Sequence, residues 1–296
     1  MDKIPCIAID HALCVTAYGG LAPCCATWGV VEHLNDRENI EDYWHNNEKL
    51  KEFQQVEHSG EWPKECKGCR KKSLGKTITR KEKFSRWYRN ITSSFTENNP
   101  KDILHMDISF GNTCSQQCIM CNSNFSSKWL KDDLQIQKDA SFIRNFDELT
   151  LKNWSLSYEQ LDQIANLVTE NTKRIEIKGG EPLYDKRFEY FVNAVLEKNP
   201  KVKISTNTNG MHFNKKTIEV LNKINRLNID VSFDGTGKIY EWIRSSKWDN
   251  AVASFEYALE HLHHNPNLNY TTMMYNVDNF LEYYNWAGDL AEKYNK

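Results

Sequence analysis

Long apolar runs are missing from this sequence. Nowhere does it approach the roughly 18 consecutive apolar residues that a membrane-crossing helix needs, which excludes a conventional transmembrane helix. A strong charge of either sign is missing too. Thirty-eight Lys and Arg against 40 Asp and Glu leave a formal net charge of −2, so no global positive field favours nucleic acid or an anionic membrane. The first twenty residues, MDKIPCIAIDHALCVTAYGG, lack a continuous apolar core and carry Asp2 and Asp10. That argues against a signal peptide and for a cytoplasmic protein. Cysteine is absent from residue 122 onward, and no repeat or low-complexity tract stands out. The remaining composition, 40% hydrophobic and 26% charged over 296 residues, is that of one large folded domain or one domain with a small appendage.

All nine cysteines fall in the first 121 residues: Cys6, Cys14, Cys24, Cys25, Cys66, Cys69, Cys114, Cys118 and Cys121. An odd number in a chain without an export signal fits metal ligation better than a disulfide framework. The densest run is Cys114-Ser-Gln-Gln-Cys118-Ile-Met-Cys121, a C-x3-C-x2-C spacing that follows an apolar strand candidate. Three thiolates on so short a loop can hold three irons of a cubane cluster and leave the fourth open. Ordinary electron-transfer sites cap every iron with protein. The competing reading is a structural zinc site, and the lack of a fourth ligand counts against it.

The cysteines also divide the chain. Residues 1–75 are short, irregular and cysteine-rich, with a polar helix expected over Glu41–Val56. So short a segment gains from a metal staple what its core cannot supply. Residues 76–101 read as a basic, then polar, linker or helix. From 102 to 296 short strands alternate with helices. Strands are predicted at Leu104–Phe110, Arg174–Lys178, Val202–Thr206, Asn228–Phe233 and Leu268–Met274. Helices are predicted at Tyr158–Thr169, Phe188–Leu196, Thr217–Ile224, Ala251–His263 and Phe280–Tyr294. The alternation predicts an α/β fold with parallel βα units. Five strands are legible, so a six-stranded open barrel needs one more, either missing or supplied from elsewhere. Residues 122–150 form an insertion after the cysteine loop, with helix candidates at Lys128–Asp133 and Phe142–Leu151. In a parallel sheet such an insertion borders the active site.

The polar and glycine motifs fall at one kind of position. Cys114–Cys121 follow the first of these strands, Gly179-Gly180-Glu181-Pro182 the second, Asn207-Thr208-Asn209-Gly210 the third and Asp234-Gly235 the fourth. These loops share the ligand-binding edge of a parallel sheet. The C-x3-C-x2-C loop with a downstream Gly-Gly-Glu-Pro resembles the radical S-adenosylmethionine (SAM) enzymes over roughly residues 102–285. The resemblance implies a partial (β/α)6-type barrel. It implies that Cys114, Cys118 and Cys121 ligate a [4Fe–4S] cluster, whose open iron takes the methionyl amine and carboxylate of SAM. One electron would then cleave SAM to a 5′-deoxyadenosyl radical that takes a hydrogen from substrate.

By the same resemblance, Gly179 and Gly180 would let the backbone approach the cofactor, Glu181 would accept from the methionyl ammonium and Pro182 would fix the turn. Ser205, Asn207 and Asn209 are candidates for the methionyl carboxylate or the ribose hydroxyls. Ser232 and Asp234 would face ribose or substrate, Arg244 would neutralise a carboxylate and Met120 would cover the adenine.

The N-terminal segment resembles the auxiliary-cluster modules of these enzymes, of the one-cluster twitch or reduced two-cluster SPASM kind. The carriers are Cys14, Gly20, Cys24, Trp44 and the C-x2-C pair Cys66 and Cys69. The implied ligand set is Cys14, Cys24, Cys66 and Cys69 on a second [4Fe–4S] cluster, with Cys25 competing with Cys24 and Cys6 taken as a buried thiol. A zinc ribbon is the alternative. The implied function is hydrogen abstraction from a peptide or protein side chain, assisted by the auxiliary cluster and fed by an external donor such as flavodoxin or ferredoxin. A small-molecule dehydrogenase and a non-catalytic iron–sulfur or zinc scaffold are the competing readings. The basic run from Lys71 to Arg89 touches a peptide leader or a phosphate, or is a solvated linker helix; nucleic acid is disfavoured as a partner.

Overall fold

The computed structural model describes residues 6–27, 29, 31–34, 39–88, 102–143 and 151–296. Helix α1 (Ile7–His11) leads into strand β1 (Ala12–Val15), which turns into β2 (Gly20–Ala22) and β3 (Glu32–His33). Helices α2 (Ile40–Asn46), α3 (Glu48–His58), α4 (Lys67–Leu74) and α5 (Arg80–Tyr88) follow. The single helix predicted over Glu41–Val56 is interrupted at Asn47. Its extended backbone ends α2, and its side chain accepts from the Leu50 N–H to start α3. Of the linker, Arg80–Tyr88 is helical, while residues 89–101, with Arg89, lie outside the described residues. So do Trp28 and residues 144–150 of the second insertion helix.

The regular part carries β4 (His105–Ser109), α6 (Leu130–Asp139), α7 (Tyr158–Asn166), β5 (Arg174–Lys178), α8 (Arg187–Lys198) and β6 (Lys203–Thr208). After these come α9 (Lys215–Leu221), β7 (Arg226–Ser232), α10 (Gly237–Arg244), α11 (Trp248–His261), β8 (Asn267–Asn269) and α12 (Phe280–Tyr294). Ser157 and Gln160 close a capping box at the start of α7, and Asn214 caps α9.

One sheet runs β3-β2-β1-β4-β5-β6-β7-β8. From β1 through β4 to β8 every pairing is parallel; β2 and β3 extend the sheet antiparallel. The parallel strand that the alternation after residue 102 does not contain is therefore β1, supplied by the cysteine-rich N-terminal segment. Strands β3 and β8 are the sheet's two ends and do not pair with each other, so the barrel is partial.

The strands alternate strictly. Met106, Ile108, Ile175, Ile177, Ile204, Ile229 and Val231 lie on one side, with Phe188, Phe191, Val192, Ile218 and Phe255 of the helices in the same continuous core. Register places the opposite residues in rows: Cys14 beside Asp107 beside Glu176 beside Ser205 beside Asn228, with His105, Arg174 and Lys203 one step below. A parallel sheet covered on both faces is apolar on both. This one is polar and charged on its inner face, as the wall of a barrel interior is.

Candidate active site

The cysteine loop leaves the C-terminal end of β4 and is tied down over its whole length. Asn112, fully buried, donates to the carbonyls of Ser123 and Lys152 and accepts from the Trp154 N–H. Gln116 donates to the Tyr240 hydroxyl at 3.2 Å, and its carbonyl accepts from Ser126 at 2.6 Å. Ile119 N–H bonds the carbonyl of Ile243, and Trp129 Nε1 donates to the carbonyl of Cys118 at 2.8 Å. Asn112, Gln116 and Trp129 carry no family signature in sequence. Only their partners, up to 124 residues away, reveal what they do.

Cys114 and Cys118 are buried and Cys121 is half-buried. Burial, and then the charge of its neighbouring cysteines, pushes the Cys121 thiol up to about 12. Burial likewise pushes Cys114 up to about 11 and raises Cys118. Three thiols that feel one another in a dry loop become thiolates only against a concentrated positive charge. A structural zinc site needs four protein donors, and this loop offers three cysteines; a group that keeps one position open fits that donor set better. Met120 is 44% exposed at the tip of the loop.

The Gly179–Pro182 turn packs directly on this loop. Glu181 N–H bonds the carbonyl of Thr113 at 2.9 Å. Gly180 has φ +52°, and a Cβ there would lie 2.0 Å from the Thr113 carbonyl oxygen; one on Gly179, φ +88°, would lie 2.7 Å from the Gly111 carbonyl. The glycines thus let one strand-end loop seat against the other. Pro182 opens the short turn after them. Glu181 is buried, and its carboxylate accepts from the Thr208 hydroxyl at 2.6 Å, the Asn209 N–H at 2.6 Å and the Leu183 N–H at 3.0 Å. Burial raises its pKa to about 7, against those three donors. Most of its acceptor capacity therefore staples the ends of β5 and β6 together. Asn209 in turn donates to Ser115 Oγ at 3.1 Å, which also meets His212 Nε2 at 2.8 Å.

Beyond β7, Asp234 is fully buried, accepts from the Thr271 N–H at 2.7 Å and pairs with Arg244. The Arg244 guanidinium also donates to Cys118 Sγ at 3.7 Å. The arginine thus joins the fourth strand end to the cysteine loop, and the carboxylate it neutralises is Asp234. Burial lowers its pKa and the neighbouring Cys118 and Asp234 raise it, with a net rise that keeps it charged. Ser205 is buried with an unpartnered hydroxyl, Asn207 is exposed and Ser232 is half-buried; all three lie on the inner face. Asn276, which sequence reading passed over, donates to the carbonyls of Asp234 and Thr271 and fixes that corner.

In the N-terminal segment Cys6, Cys24, Cys66 and Cys69 line one small cavity together with Glu57, Trp62, Arg80 and Lys81. Cys14 is not among them. It lies in β1 on the inner face of the sheet, opposite Asp107. Cys25 is exposed, and a hydrogen bond with the Cys24 thiol raises its pKa. Burial pushes Cys6 and Cys66 each up to about 12. Cys6 stands at the N-cap of α1, its N–H held by Glu57 at 3.0 Å. Four half-buried thiols around one cavity are a donor set for a fully protein-ligated cluster; the resemblance put Cys14 in that set, and at the cavity it is Cys6 that stands beside Cys24, Cys66 and Cys69.

Between the two cysteine sites the inner face carries a compact ionic cluster. Lys178 reaches Asp107 at 2.7 Å and Glu176 at 3.0 Å, Arg174 reaches Glu176 at 3.1 Å, and Arg80 of α5 reaches Glu176 at 3.6 Å. Burial would raise the Glu176 pKa, but the permanent cations Lys178 and Arg80 beside it hold it at about 2. His105 is driven down to about 3 by burial and stays neutral. Its Nδ1 meets the Tyr88 hydroxyl at 2.8 Å. His105, Asp107 and Glu176 could by proximity hold a cation, but the three cationic side chains around them oppose it.

Comparison with known proteins gives two family matches. The Radical SAM superfamily model matches residues 108–287, and the SPASM model, an iron–sulfur cluster-binding domain, matches residues 6–70. Among solved structures, native anSMEcpe with bound AdoMet and Kp18Cys peptide is 15% identical, with 62% of this chain and 49% of that chain covered and a TM-score of 0.47. Streptococcus suis SuiB bound to S-adenosylmethionine is 16% identical, with 97% and 60% covered and a TM-score of 0.41. SuiB bound to the precursor peptide SuiA is 15% identical, with 83% and 50% covered and a TM-score of 0.40. The chain spans about half to three fifths of the length of these structures. No curated protein matches it. Among the described residues no helix is long and apolar enough to cross a membrane.

Proposed function

We propose, for a chain that belongs to the radical SAM superfamily and carries an N-terminal SPASM domain, that it modifies a side chain of a peptide or protein by hydrogen abstraction. The cofactors of this family are a [4Fe–4S] cluster and SAM, and the SPASM domain brings auxiliary iron–sulfur chemistry. When bound, these groups supply an electron that cleaves SAM, a 5′-deoxyadenosyl radical that takes the hydrogen, and a second redox centre for the substrate electron.

The observation that carries this reading is the seating of the Gly179–Glu181 turn on the Thr113–Cys114 backbone. It sets three buried thiols and the second strand end at one place on the sheet edge. Cys114, Cys118 and Cys121 hold the SAM-binding cluster, and Trp129 and Gln116 fix the loop that carries them. Arg244 sets a positive charge beside Cys118 while its bond to Asp234 keeps it from swinging into the interior. Ser205, Asn207, Asn209 and Ser232 offer hydroxyls and amides to the methionyl and ribose groups, and Met120 lies at the exposed loop tip for the adenine.

Glu181 holds the loop after β6 against the turn and keeps one acceptor position for the ammonium. Cys6, Cys24, Cys66 and Cys69 hold the auxiliary cluster. Residues 1–75 act as that module, 76–101 connect it and 102–296 form the catalytic half. The inner face supports a polyfunctional substrate such as a peptide: it presents carboxylates, cations, amides and hydroxyls and little apolar surface. A cytoplasmic location and an external one-electron donor of flavodoxin or ferredoxin type complete the proposal.

The test is isotopic. Reconstituted protein, dithionite and SAM are incubated with a fully deuterated mixed-peptide pool or with a deuterated, peptide-free metabolite pool. Deuterium in 5′-deoxyadenosine from the peptide pool alone is the expected result. Label from the metabolite pool alone would replace the peptide reading with a small-molecule dehydrogenase.

A further inference from the structure

The chain's charge is not evenly spread. From Lys64 to Arg86 there are ten Lys and Arg against Glu65 and Glu82, a formal +8, so the rest of a chain of net −2 carries −10. Within this basic stretch α4 and the turn after it border a groove of about 630 Å³ whose walls include Cys69, Lys71, Lys72, Thr77 and Arg80, and no carboxylate. Among the described residues neither Lys71 nor Lys72 has an acidic partner. Arg80 lines this groove and also the four-cysteine cavity, and its guanidinium is turned toward Asp107 and Glu176 on the inner face. Two of its nitrogens are buried without a hydrogen-bond partner.

We propose that this groove, on the reading above that the substrate is a peptide, binds an acidic segment of that peptide beside the auxiliary site and leads the chain past Arg80 into the barrel interior. Lys71 and Lys72 supply the attraction at the mouth, and Arg80 supplies charge-assisted donors at the inner end. The occupant's chemistry follows from the walls. Cations without carboxylates select against basic and neutral segments, and the surrounding −10 repels anything anionic from the rest of the surface. A nucleic acid fits less well. Single-strand binding needs free aromatic faces for the bases. Phe84 and Tyr88 are buried, and Trp87 is flanked by Arg80 at 5.3 Å and Arg174 at 4.8 Å.

The test uses the full-length reconstituted protein and three fluorescent probes in anisotropy titrations: hexaglutamate, hexalysine and a six-nucleotide single strand. The variants are Lys71→Glu/Lys72→Glu and, as a charge-matched control elsewhere, Lys186→Glu/Lys215→Glu. Iron content and 5′-deoxyadenosine formation without peptide are measured on every preparation. The expected result is saturable hexaglutamate binding that weakens with salt and loses about tenfold or more in affinity in the Lys71/Lys72 variant, with the control variant unchanged. No hexaglutamate binding, or equal loss in both variants, overturns the proposal. Tighter, Lys71/Lys72-dependent binding of the nucleotide strand overturns it in favour of a nucleic-acid surface. Absence of 5′-deoxyadenosine from iron-loaded protein would instead count against the radical reaction itself, whatever the anisotropy shows.

Discussion

Two glycines with nearly the same backbone separate conformational strain from contact at the site. Gly180 has φ +52° and Gly237 has φ +48°. An alanine at either must enter the left-handed region at a cost of about 1–2 kcal/mol. At Gly237 nothing lies within 4 Å of the added Cβ, so the cost stops there. At Gly180 the Cβ would stand 2.0 Å from the Thr113 carbonyl oxygen and 2.7 Å from its carbon. Those are backbone atoms next to Cys114, and they give way only if the cysteine loop moves. For a chain of this length about 1 kcal/mol shifts Tm by roughly 2–4 °C. Gly237→Ala should therefore lower Tm by a few degrees and leave the iron content whole. Gly180→Ala should lower it by at least twice as much and lose the iron held by Cys114, Cys118 and Cys121. The assays are thermal melts of both variants and iron analysis after anaerobic reconstitution. If Gly180→Ala matches Gly237→Ala in Tm and retains full iron, the two strand ends do not depend on each other as described.

Three further outcomes are expected. Arg244→Met leaves fully buried Asp234 unpaired and should cost about 3–5 kcal/mol, partly restored by adding Asp234→Asn, as chemical denaturation will measure. Cys6→Ser should remove about half of the reconstituted iron while Cys14→Ser keeps nearly all of it; equal losses would return Cys14 to the auxiliary set. Glu176 is held at about 2, below its usual 4.5, so its contribution to stability is fully present above about pH 4.5 and disappears as pH falls toward 2. The stability gap between wild type and Glu176→Gln should close over that interval, and a gap that persists at pH 2 would mean the cluster acts through packing rather than charge.

What could be read from the sequence was local. Ile175 and Ile177 alternate within five residues, so β5 was legible with the same bounds, and the apolar spacing of Phe280–Tyr294 gave α12 whole. The cysteine loop and the Gly-Gly-Glu-Pro turn were legible because each is a contiguous motif at a strand end. Long-range pairings were not. Strand β1 is four residues long and finds its parallel partner, β4, some ninety residues later, so nothing nearby marks it as part of the barrel. For the same reason spacing could not tell Cys14, which faces the interior from β1, from Cys6, which closes the cavity with Cys24, Cys66 and Cys69. The helix break at Asn47 turns on one side chain choosing to cap rather than to continue. Glu181 looked like a ligand-facing carboxylate, and its three donors come from Leu183 and from two residues at the end of β6 that only the fold brings near.

The most direct measurement is 5′-deoxyadenosine formed from SAM and dithionite by anaerobically reconstituted protein, with iron and sulfide counted on the same sample and Cys118→Ala beside it. The account expects about eight irons per chain in the wild type, the sum of two four-iron clusters, and product that vanishes with Cys118. Protein loaded with that iron that makes no 5′-deoxyadenosine, or Cys118→Ala protein that makes as much as wild type, would contradict it.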